Sequence, residues 1–172
     1  MRQLYHGSKF QQTELKPGLQ HSGELTEWDK TESNAYLYAT NDREEAIRQG
    51  IASTIEKEFD TSRFHITSTH FDVFYLKDAQ RKPTADAIEK LVIYLYTINR
   101  SEHDGWHPVD NPHNGLKGKE FKTTRTMKQQ IASCETIVVK DWLEHHHVHL
   151  TVGVDQATPS TEQHRVNSWL TW

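Results

Sequence analysis

The chain has 172 residues, one domain's worth, and at that size a core forms without metal or disulfide staples. Its apolar content of 34%, its mean hydropathy of −0.83 and the absence of an 18-residue apolar run argue against a membrane span, and nothing at the start reads as a secretory signal. Twenty Lys and Arg against twenty-four Asp and Glu give a formal charge of −4, so no global positive field advertises nucleic-acid binding. The single cysteine, Cys134, excludes a disulfide framework and fits a reducing compartment, with the cytoplasm as the expected location.

Arg2 to His6 reads as a short strand stopped by Gly7-Ser8. Residues 9–33 are polar, with turn signals at Lys16-Pro17-Gly18 and Ser22-Gly23. Ala35 to Thr40 is a second strand, with Tyr36, Tyr38 and Thr40 sharing one face. Thr40, Asn41 or Asp42 caps a helix carrying Glu44 and Glu45 in its first turn, and Ile47, Ile51, Ile55 and Phe59 form its apolar stripe. Phe64 to Ile66 and Phe71 to Leu76 look like strands. Pro83-Thr84 opens a second predicted helix, with Ile88, Leu91, Val92, Leu95 and Ile98 as its core-facing stripe.

From Asn99 to Gly118 the Gly, Pro and Asn punctuation predicts loop. Strands follow over Thr136–Lys140 and His147–Val154, the latter alternating Val148, Leu150, Val152 and Val154 with polar residues. Cys134, just ahead of the first of these, is expected to be buried and inert. Residues 155–168 are polar and read as a mobile tail, which Trp169 and Trp172 would dock at its end. Strands, two helices and more strands make an α+β domain.

Three segments carry candidate chemistry. Leu4-Tyr5-His6-Gly7-Ser8 sets an imidazole at a strand end beside a glycine that lets a ligand approach the backbone. Tyr36-Leu37-Tyr38-Ala39-Thr40 supplies aromatic faces for a flat, cationic ring. Gly118-Lys119-Glu120-Phe121 places an acid among cations and hydroxyls after a glycine-rich loop. Lys117, Lys119, Lys122, Arg125 and Lys128 form a basic cluster, read either as a solvated loop or as contacts to phosphates of NAD or of a nucleic acid.

In this order the segments resemble the ADP-ribosyltransferase superfamily, in particular its His-Tyr-Glu branch and the small bacterial rifampin ADP-ribosyltransferases with their Tyr-His-Gly-Ser/Thr relatives. Closest are residues 3–52, including Leu15-Lys16-Pro17-Gly18 and the Tyr36-to-Asp42 strand entering a helix with Ala46. The resemblance implies a split β-sheet core with flanking helices over 1–172 and NAD as co-substrate. It also implies transfer of ADP-ribose to an acceptor, whether protein, nucleic acid or small molecule. His6 would contact the ribose hydroxyls and Gly7 the carboxamide, with Ser8, Tyr38 and Thr40 beside them. Tyr36 would stack on nicotinamide, and Glu120 would be the catalytic acid, with Asp72, Asp78 and Asp110 as rivals. Arginine-directed members carry a second acid two residues ahead of the catalytic one. Here Gly118 occupies that position, which argues against an arginine acceptor.

A carboxylate in such a site steadies the oxocarbenium that develops as the glycosidic bond breaks, and no metal is required. With water as acceptor the same site is an NAD glycohydrolase. The remaining readings are a non-catalytic nucleotide-binding module and a His-rich metal-binding protein. The latter draws on twelve histidines and on His147 and His149, which at i and i+2 of a strand point the same way.

Overall fold

The computed structural model describes residues 2–18, 36–109 and 119–156. Nine strands among them form two sheets. The larger is antiparallel throughout, in the order β6-β7-β2-β1-β5-β8: β1 (Arg2–Ser8), β2 (Leu37–Thr40), β5 (Val92–Arg100), β6 (His107–Pro108), β7 (Glu120–Thr123) and β8 (Ile131–Val138). The smaller joins β3 (Thr61–Ile66), β4 (His70–Tyr75) and β9 (His149–Val154), with β4 and β9 parallel. The described α-helices are α1 (Arg43–Glu58), α2 (Ala85–Glu89) and α3 (Val139–His145), with a 3-10 turn at Glu102–Asp104. This is a mixed α+β fold built mostly on an antiparallel sheet.

Helix α1 starts where its sequence says. Asp42 accepts from the Glu45 amide at 3.2 Å, and Glu44 and Glu45 sit in the positive first turn. Ile47, Ile51 and Ile55 are fully buried against Phe64, Phe71 and Val73 of the small sheet and Ile93 and Leu95 of the large one. Each such side chain contributes about 2 kcal/mol of burial. A second core on the opposite face of the large sheet collects Leu4, Leu37, Ala39, Tyr96, Ile98 and Phe121.

The predicted long helix over Ile88–Ile98 is corrected. Only Ala85–Glu89 is helical, capped by the Thr84 hydroxyl, and Val92–Arg100 is a central strand paired on both sides. Six of its nine residues are β-branched or aromatic, and a strand buried on both faces has no polar alternation to betray it. Two further expectations fail. Cys134 lies exposed on β8, an edge strand of the sheet, rather than buried ahead of it. His147 does not share a strand with His149: it turns the chain between α3 and β9 with φ 54°, so the proposed side-chain pair is not formed. Among the described residues no three His, Cys, Asp or Glu side chains gather to hold a metal. No described helix is long and apolar enough to cross a membrane. The expected tail beyond 156, Asp110, Lys117 and Gly118 lie outside the described residues.

Candidate functional site

Strands β1 and β2 part company early. β1 pairs with β5 along its whole length but with β2 only at Tyr5–Thr40. Beyond that pair the His6 side chain takes over from the ladder, its Nδ1 donating to the Tyr38 carbonyl at 2.7 Å. A carbonyl only accepts, so Nδ1 carries the hydrogen and Nε2 of the neutral ring is left as an acceptor. Burial holds the His6 imidazole below its usual pKa; the Tyr38 carbonyl opposes this and the Lys57 ammonium adds to it.

The parting strands open a cavity of about 190 Å³. His6, Gly7 and Ser8 line it from β1, Tyr36 and Tyr38 from β2 and the residue before it, and Gln49, Ser53 and Lys57 from α1. The segment over 9–18 covers one side. It is tied down by the Tyr96 hydroxyl, which accepts from the Gln12 amide at 2.5 Å, and by a bridge from Leu15 to Met127. Tyr36 is bridged to Gly18, and its ring meets that of Tyr38 edge-on at 6.1 Å. The Lys122 ammonium lies 4.3 Å from the centroid of Tyr36, so one aromatic face already holds a cation.

Glu120 opens β7, directly opposite Thr40. It is buried, at 8% exposure, and burial alone pushes its carboxyl up to about 7. The register puts Glu120, Thr40, Tyr38 and Lys122 on one face of the sheet. His6, Tyr38 and Glu120 therefore stand on three neighbouring strands, β1, β2 and β7. Glu120 does not line the cavity itself.

Two of the expected ligand contacts have structural roles, Gly7 while still lining the cavity. Thr40 is fully buried, and its hydroxyl accepts from the Asp42 amide at 3.1 Å, shaping the turn into α1; it has no surface for NAD. Gly7 is a glycine because α1 crosses it: a Cβ there would lie 2.4 Å from the Ala46 carbonyl and 2.9 Å from the Gly50 Cα. Gly50 is the matching gap on the helix.

Of the rival acids, Asp72 lies on the small sheet, bonded to His65 and Thr151, and neither it nor Asp78 lines the cavity. The basic cluster is dispersed. Lys119 pairs with Asp42, Lys122 covers Tyr36 and Arg125 bonds the His103 carbonyl. Sequence reading missed Gln49, Ser53 and Lys57. Their spacing of four along α1 is visible, but only the packing of α1 on Gly7 turns that stripe toward a cavity.

Fold and site together define an α+β protein with a polar, aromatic-lined cleft where two strands of its main sheet diverge. Comparison with known protein families, with curated proteins and with solved structures finds no match.

Proposed function

We propose that the cleft binds NAD and that the chain is an ADP-ribosyltransferase of the His-Tyr-Glu type, cleaving the bond between nicotinamide and ribose. The observation that carries this reading is the placement of its three residues. His6 and Glu120 belong to β1 and β7, and Tyr36 immediately precedes β2, the strand between them, at the point where that sheet splits.

The local chemistry supports the assignment. Neutral His6, locked through Nδ1, offers Nε2 to a ribose hydroxyl. Tyr36 has a face opposite Lys122 on which nicotinamide would stack. The cavity lies below the roughly 300–1,000 Å³ of a drug-sized site, so it takes the nicotinamide–ribose end while the rest of the dinucleotide leaves through the mouth. As the C1′–N bond breaks, its electron pair leaves with nicotinamide and positive charge grows on the sugar. The Glu120 carboxylate, poorly solvated, steadies that charge more strongly than a carboxylate in water would. The bond to C1′ is then made by the acceptor's nucleophile, whose proton leaves to solvent.

Incubation with NAD labelled in its adenylate half tests the reading. Nicotinamide release with label on an added acceptor means transfer, and release with free ADP-ribose means water is the acceptor. Intact NAD after prolonged incubation overturns both.

A further inference from the structure

The side of the cavity formed by α1 is cationic in a chain whose formal charge is −4. Gln49, Ser53 and Lys57 recur every fourth residue, so they share one stripe of the helix. That stripe runs beside Ala46 and Gly50, the residues on which α1 touches β1, so its side chains project along the opened strand. Lys57 is half-buried, and among the described residues its ammonium has no carboxylate within ion-pair distance. Its neighbour Lys9 is neutralised by Glu58 instead. Burial and then the Lys9 charge press Lys57 toward losing its proton, and the Glu56 carboxylate opposes them only in part. Ser8, at the end of β1 on the same cavity and 8% exposed, accepts from the Phe10 amide and the Gln12 side-chain amide. Its own hydrogen has no acceptor among the described residues.

A half-buried ammonium with no carboxylate partner among the described residues, two further side-chain donors on its helix and a hydroxyl with a hydrogen to give are the complement of a compact anion rich in oxygen. We propose that Lys57, with Ser53 and Gln49, binds the pyrophosphate of a nucleoside diphosphate, so that the cleft discriminates phosphate-bearing ligands from bare nucleosides. The inference rests on the NAD reading for the ring and sugar next to His6. The anion site stands independently on Lys57, Ser53 and Gln49 of α1 with Ser8 beside them.

Titration calorimetry of the full chain with inorganic pyrophosphate, ADP, NAD and nicotinamide riboside tests it, using the native protein, Lys57→Met and Lys90→Met. Methionine keeps the stem of Lys57 and drops its charge. Lys90 is an exposed, ion-paired lysine remote from the cavity and controls for net charge. Pyrophosphate and ADP are expected to bind the native protein, more weakly as salt rises. Lys57→Met should weaken them about tenfold or more, while Lys90→Met leaves them unchanged. NAD should outbind nicotinamide riboside. If neither pyrophosphate nor ADP binds, or if the two variants weaken binding equally, the anion site is wrong. NAD binding that is indifferent to Lys57→Met overturns the anion site and leaves the NAD reading standing. Pyrophosphate and ADP binding through Lys57 with no binding of NAD does the reverse. A melting curve on each variant, with Lys57→Gln as a second neutral replacement, establishes that the fold is intact.

Discussion

Replacing Glu120 by Gln should stabilise the protein while removing its activity, and the stabilisation should depend on pH in a specific way. Glu120 is buried in β7, and burial alone raises its carboxyl from 4.5 to about 7. A folded-state pKa above the unfolded value means the native state holds the proton more tightly. Stability is therefore greatest below the unfolded pKa and falls as pH rises through the folded one. At about 1.36 kcal/mol per pKa unit, the full loss is about 3 kcal/mol, most of it between about pH 5 and pH 8. Gln has the same shape and no titration, so the native protein should lose about 2–3 kcal/mol relative to Glu120→Gln across that interval. Urea unfolding of both proteins at the two pH values measures it. Activity should move the opposite way, because only the carboxylate opposes the oxocarbenium. The native kcat/KM for nicotinamide release should rise with pH through about 7. Glu120→Gln should lower kcat on the order of 10²–10³ while NAD binding survives. A constant stability difference at both pH values would refute the desolvated carboxyl; full turnover in Glu120→Gln would refute its catalytic role.

Tyr36→Ala should raise KM for NAD and leave kcat within a few-fold, because it removes a stacking face already steadied by Lys122; initial rates at varied NAD decide. Gly7→Ala should destabilise by about 3 kcal/mol, since the new Cβ meets the Ala46 carbonyl and the Gly50 Cα, both backbone atoms that cannot swing aside. An unchanged Tm would show that α1 does not need that contact. Cys134, exposed on β8, should react with a water-soluble thiol reagent in the folded protein; protection until denaturant is added would contradict the placement of that strand.

Local chemistry was legible without coordinates. The first strand, the capped helix from Arg43 and the alternating strand ending at Val154 all form, though β1 runs on through Gly7-Ser8 and β9 starts only at His149, because caps, turns and half-buried strands write their signals within a few residues. The aromatic pair and the acid were legible as residue types. What short range could not reveal is β5: Val92 to Ile98 suits a helix stripe as well as a strand, and only β1 and β8 on either side make it the centre of a sheet. The same holds for the cleft. Burial holds His6 toward its neutral form and a carbonyl thirty-two residues away fixes which ring nitrogen carries the hydrogen, and burial in the folded sheet pushes the Glu120 carboxyl up to about 7. Gly7 is a glycine because a helix crosses it, and Lys57 faces a cavity because that crossing turns it there. Sequence by itself determined which side chains were on hand. Tertiary structure decided their charge, partners and neighbours, since desolvation and register are properties of segments brought together from far apart in the chain.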